Sequence, residues 1–259
     1  TIKRFIFARN NQKTNNNKTK KKMEKEKIYY SSQDRELSLS MAFPALMRKV
    51  YIWMTLALAI TGITAYGVAT SPNLIMAIAT NSALMWGIII GTFVLVMVIT
   101  SAIDRLSLTT ATLLFALYSV ANGLMLSSIF LVYTMSSIAQ VFFITAGTFA
   151  IMAAVGYFTK TDLTSFGKLL FMALIGLIIA TLVNIFMKSG TMSLIISYVG
   201  VLIFVGLTAY DSQKIKNMLM TCDDVTAQSQ KLALLGSLTL YLDFLNLFLY
   251  LLRIFGRRE

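Results

Sequence analysis

Seven apolar runs of about 20 residues, divided by short polar connections, leave this chain few ways to fold. They lie near 50–70, 83–103, 108–132, 138–158, 168–187, 192–213 and 236–255. A helix rises about 1.5 Å per residue, so each run can cross a hydrocarbon layer about 30 Å thick. A soluble helical core is the alternative, and the polar inventory is too small for it. Of the 259 residues 57% are hydrophobic and only 13% charged, where a soluble domain carries about 25%. The expected fold is therefore an all-α membrane protein with seven transmembrane helices. Ser71-Pro72-Asn73 reads as the turn closing the first run, and Gly190 marks a second turn after Lys188-Ser189.

The charge is concentrated at one end. Thirteen of the 23 lysines and arginines fall within residues 1–49. The net charge of +12 is thus better explained by membrane orientation than by nucleic-acid binding. Residues 1–40, with Asn15-Asn16-Asn17 and Lys20-Lys21-Lys22, read as a disordered basic tail, and 41–259 as one membrane domain. The chain opens on Thr1, which makes Met23 and Met41 alternative starts, and no cleavable signal peptide is expected. With the N-terminus inside, the inner loops hold Arg105, Lys160, Lys168, Lys214, Lys216 and Lys231, whereas the outer loops hold only Lys188. That bias, with the basic tail, predicts a multi-pass membrane protein with a cytoplasmic N-terminus. Arg253, Arg257 and Arg258 oppose the bias if all seven runs cross; one re-entrant segment would remove the conflict.

Small residues recur at interfacial spacing. Gly87 and Gly91 form a Gly-x-x-x-Gly step, and Gly200 and Gly206 punctuate the sixth run. Close helix packing is the simplest meaning of both.

Two acidic residues interrupt the apolar layer. Asp211 follows Ala209-Tyr210 in the last inner turns of the sixth run, and Asp243 follows Tyr241-Leu242 about 10 Å into the seventh. A carboxylate at such depth needs a partner or a water-lined path. Antiparallel neighbours would bring both into the cytoplasmic half of the layer. Two carboxyls meeting there cannot both ionise freely, so they are expected to share one proton near neutral pH. Alkaline conditions would charge both and open a path or attract a cation, with Ca²⁺ as a transient metal on Asp211 and Asp243. The plainer reading of Asp211 is pairing with Lys214 at the membrane edge. Asn246 shares the face of Asp243, and Tyr210 and Tyr241 flank the acids as hydrogen-bond donors or as interfacial anchors. Arg105 is the natural counter-ion for Asp211, in competition with a surface pair to Asp104. Asn122 and Asn184 are read as interhelical hydrogen-bond formers.

No enzyme chemistry presents itself. With no His and a single Cys, a classical triad and a soft-metal site are both unsupported. The Gly-x-Gly-Asp signature of an intramembrane aspartyl protease is missing before both acids. No tightly bound cofactor is expected.

The segments Ala-Tyr-Asp-Ser-Gln-Lys-Ile-Lys at 209–216 and Ser-Leu-Thr-Leu-Tyr-Leu-Asp-Phe-Leu-Asn-Leu-Phe-Leu-Tyr-Leu-Leu-Arg at 237–253 resemble the Bax inhibitor family, the transmembrane BAX-inhibitor-motif group, in its bacterial form. The resemblance covers about 45–256. It implies a seven-helix bundle with the last helix central, and a pH-sensitive calcium leak whose sensor carries over to Asp211 and Asp243. It also implies an arginine latch on the sixth-helix aspartate, which falls on Arg105; the neighbouring Asp104 departs from the family's basic inner end and would compete for that arginine. The partners expected on this reading are the lipid bilayer, protons and Ca²⁺. The competing function is a non-transporting membrane regulator that binds a membrane protease or another protein, and a third is a proton-coupled transporter.

Overall fold

The computed structural model describes residues 42–222 and 224–258, so the tail expected over 1–40 lies outside the described residues. Among these residues seven helices are long and apolar enough to cross a membrane: α1 (Ala42–Ala69), α3 (Ser82–Ala102), α4 (Leu108–Leu126, extended by a 3-10 turn, Ser127–Leu131), α5 (Met135–Phe158), α6 (Thr164–Met187), α7 (Gly190–Leu219) and α8 (Ala227–Phe255). A short α2 (Pro72–Thr80) intervenes. Pro72 occupies its first turn, where a missing N–H costs nothing. Nine residues cannot span a bilayer, and α2 instead lays Ile75 and Ile78 against Val68, Met85, Ile88 and Leu124.

Short polar residues set the helix starts. Asn81, Ser107, Ser189 and Thr226 each accept a backbone N–H of the first turn that follows, as N-caps do. The turn between α6 and α7 differs from expectation. Its left-handed residue is Lys188 (φ 51°), and Gly190 is the first residue of α7.

α8 is the most enclosed span. In its most apolar stretch 67% of residues are buried within the protein, against 11% in α3 and α6. It packs against α4, α5 and α7, and Tyr241 ties it to α1 through Thr61. α3 and α6 lean on α4 and α7 and scarcely touch α8. The last helix is thus central, as expected, with α3 and α6 set further out.

Contacts at the helix ends assign the two faces of the bundle. On one, Lys49 of α1 donates to Gln230 of α8, and Gln213 of α7 bonds the backbone of Thr161 and Leu163 between α5 and α6. On the other, Arg257 N–H donates to Ser137 and Thr134 N–H donates to the Arg257 carbonyl, so the end of α8 meets the α4–α5 connection. The last helix therefore runs the full length of the bundle, and Arg253, Arg257 and Arg258 lie on the face opposite the start of α1.

One buried cation holds the first face together. Lys231 is 7% exposed, and its ammonium donates to the carbonyls of Asp104 (3.0 Å) and Leu106 (3.2 Å), just beyond α3. Gln228 adds a bond to the Asp104 carboxyl. Lys231→Met keeps an apolar stem but strips both carbonyls of their donor. It is expected to cost about 1.5–3 kcal/mol, read as a lower unfolding midpoint in detergent; an unchanged midpoint would refute the clasp.

A smaller acid-sensitive feature opens α6. Oδ1 of the fully exposed Asp162 accepts both the hydroxyl (2.6 Å) and the N–H (2.9 Å) of Thr164. These bonds, the hydroxyl first, hold the carboxyl below the usual carboxylate range. A lowered folded value means the bond is intact above the ordinary carboxylate range and is lost as pH falls through the lowered one. The Thr164 amide should therefore lose hydrogen-exchange protection in acid, after correction for the intrinsic rate. Protection that stays flat into strong acid would contradict this.

Candidate functional site

Three helices each present one stripe to a common cavity of about 900 Å³. Phe204, Leu207, Asp211 and Lys214 of α7 form its floor, at the spacing of one helical face. Thr239, Asp243, Asn246 and Tyr250 of α8 form one wall, and Gly167, Phe171, Leu174 and Ile178 of α6 the other. The cavity exists because α6 and α8 both pack on α7 while hardly meeting each other.

Close helix approach makes the floor. A side chain on Gly167 would strike the Tyr210 ring, one on Gly206 would strike Leu170, and one on Gly200 would meet the Tyr250 ring. Gly156 of α5 lies so near the Ala209 carbonyl that no Cβ fits there. Gly200 and Gly206 thus serve packing as the sequence suggested. Among the described residues nothing lies within 4 Å of where a Cβ on Gly87 or Gly91 would be, so that step joins no helices among them.

The two aspartates meet where the α7 floor joins the α8 wall. Asp211 is 8% exposed and Asp243 5%, and their carboxyl groups lie within hydrogen-bonding reach of each other. α7 runs on past Lys216 to Leu219, which brings the two acids to matching depth. Oδ2 of Asp243 meets no donor among the described residues. Lys214 lies near enough to act on both acids, and its ammonium sits 5.8 Å from the centre of the Tyr210 ring. Two ionised carboxylates offer only acceptors, so a hydrogen bond between them requires a proton held by one.

The other sequence candidates divide. Tyr210 and Asn246 line the cavity, although Asn246 spends its amide on the Leu242 carbonyl of its own helix (2.8 Å). Tyr241 faces away. Its hydroxyl pairs with Thr61 (2.7 Å), and its ring stands edge-on to Phe115 and Tyr118, so it neither flanks the acids nor anchors an interface. Arg105 is exposed in the α3–α4 turn and is not part of the cavity lining. Its neighbour Asp104 is engaged by Gln228 instead. Among the described residues Asn122 bonds the Tyr118 carbonyl of its own helix α4, and Oδ1 of Asn184 has no partner. Sequence reasoning missed Lys168 and Thr239 as cavity residues. The signal was available: Lys168 falls on the α6 stripe that continues through Phe171 and Leu174.

The family model for inhibitors of apoptosis-promoting Bax1 matches residues 44–259. A protein of Escherichia coli K12 named inner membrane protein YbhL is 50% identical over 214 residues, covering 82% of this chain and 92% of that protein. A Borreliella burgdorferi protein is 46% identical over 213 residues, with the same two coverages. A Rickettsia prowazekii protein is 42% identical over 221 residues, covering 82% of this chain and 89% of its own length.

Proposed function

The chain belongs to the Bax inhibitor family, and on that premise we propose that it is a pH-sensitive calcium leak of the bacterial inner membrane, gated by the Asp211–Asp243 pair. The observation that carries the reading is the meeting of two buried carboxyls on adjacent helices. With one proton shared, the pair is a hydrogen-bonded tie between α7 and α8. When that proton leaves, two like charges face each other in a poorly hydrated place. They part, or they take up a divalent cation whose oxygen ligands they already are. The cation is cargo and a transient ligand, and the chain's own chemistry is the gain and loss of one proton.

The face carrying Lys49, Lys160, Lys214, Lys216 and Lys231 is proposed as cytoplasmic, because short basic connections are retained inside. The pair then answers to cytoplasmic pH. Arg105 stands exposed in the α3–α4 turn outside the cavity lining, and the Lys231 clasp holds that turn in place. In this form Lys214, not Arg105, is the cation facing both acids.

The test is uptake of radiolabelled Ca²⁺ into proteoliposomes across pH. The leak reading expects uptake that rises with pH. Negligible uptake at every pH, together with a stably co-purifying membrane protein, would replace it with the regulator reading.

A further inference from the structure

The cavity over the aspartates also has the form of a lipid seat. Phe171, Met172 and Ile178 line it and are also 59%, 62% and 52% exposed, so its α6 wall is continuous with the bilayer-facing surface. Entry from the side needs no passage through water. From Lys168 to Ile178 the stripe runs about 15 Å along α6, the depth of one leaflet of a hydrocarbon core about 30 Å thick. The volume of about 900 Å³ lies in the range of ligand pockets.

Polarity is graded along that length. Lys168 from α6 and Lys214 from α7 stand at one end. Asp211 lies about one helical turn deeper with Asp243 beside it, and from there the lining is Phe171, Leu174, Ile178, Phe204 and Leu207, interrupted by Asn246, with Tyr250 at the far end. Two cations from two helices at the rim of an apolar slot match a phosphodiester followed by an acyl chain.

We propose that this cleft seats one anionic phospholipid, its phosphate between Lys168 and Lys214 and one acyl chain along Phe171, Leu174, Ile178 and Phe204. The chain would then lie over the aspartate pair and keep water from reaching it sideways. Any effect on flux rests on the leak reading above, but binding does not, and the two are measured separately.

The test is native mass spectrometry of the full chain, released from detergent micelles and titrated with phosphatidylglycerol or phosphatidylcholine of identical acyl chains. One phosphatidylglycerol should bind at about tenfold lower concentration than phosphatidylcholine, a difference of about 1.4 kcal/mol. Lys168→Gln should weaken that preference, and adding Lys214→Gln should abolish it. Ile178→Trp, at the exposed far end, should weaken both lipids by filling the space for the chain, while Lys188→Gln at the other end of α6 should change nothing. Each variant is first shown to retain its unfolding midpoint; should one of the cavity variants fail, the remaining ones decide. Equal binding of the two lipids, or a phosphatidylglycerol preference that survives the double lysine variant, overturns the proposal. So does competition by water-soluble glycerol phosphate at the lipid's own concentration, because the site would then read phosphate alone. Lipid binding that persists in a protein showing no Ca²⁺ flux would sink the leak and leave the seat standing.

Discussion

Asp243→Asn is expected to hold Ca²⁺ uptake at its low-pH level from about pH 6 to about pH 8, while the native protein's uptake climbs over the same range. The expectation follows from what Asn resembles. It keeps the size of a protonated carboxyl and its capacity to donate and accept, but it has no proton to lose. The tie between α7 and α8 would then persist at every pH. In the native pair, loss of one proton changes the ratio of open to closed forms by about tenfold per pH unit at its steepest. The variant should change by less than about twofold over the whole range. Asp243 is the sharper choice of the two acids because it is the more deeply buried and one of its oxygens meets no donor among the described residues. The other titratable or charged groups facing the pair are Lys168 on α6, Tyr210 and Lys214 on α7, and Tyr250 on α8. Lys214→Gln therefore serves as a control. Removing that cation should move the midpoint of the rise without flattening it. A native protein with pH-flat uptake, or an Asp243→Asn protein that still rises with pH, would end the sensor reading.

What could be read from sequence, and what could not, follows from where each residue finds its partner. The seven spans were legible because hydrocarbon demands about 20 apolar residues in a row. Their ends were not. Arg48 and Lys49 look like a polar lead-in before position 50, yet both lie in α1, where Ala42 and Leu46 are already buried and Lys49 reaches Gln230. α7 and α8 overrun the apolar layer on the same face. There Gln213 and Lys216 bond the backbone of the α5–α6 region, with Lys216 donating to the Tyr157 carbonyl. Polar residues that serve another segment's backbone resemble loop residues until that segment is seen. The aspartates were legible for the opposite reason, since a carboxyl inside an apolar run has no local excuse. Arg105 and Tyr241 show the limit. Charge and adjacency nominated both, but only packing shows that one is exposed in a turn and the other faces Thr61 on the far side of α8.

The same one-carbon change should have opposite effects at two glycines, and the contrast tests whether the α5–α7 contact builds the site. Gly156→Ala places a methyl against the backbone carbonyl of Ala209, which cannot rotate away as a side chain would. Overpacking of this kind costs about 1–3 kcal/mol and at times more, and the rigid partner puts Gly156 at the upper end. At about 2–4 °C per kcal/mol for a domain of this size, the unfolding midpoint should fall by several degrees, and Gly156→Leu should leave little folded protein. Gly87→Ala adds the same methyl where nothing among the described residues lies within 4 Å. Alanine is the better helix former by about 1 kcal/mol, so that midpoint should hold or rise. Function adds a second readout. Ala209 is two residues from Asp211, so pushing α7 away from α5 shifts the floor that carries the carboxyl. Gly156→Ala protein that remains folded should therefore show an altered pH response of uptake, and Gly87→Ala should not. If both variants keep the native midpoint and pH response, the α5–α7 crossing is looser than described, and the aspartates owe their meeting to α8 alone.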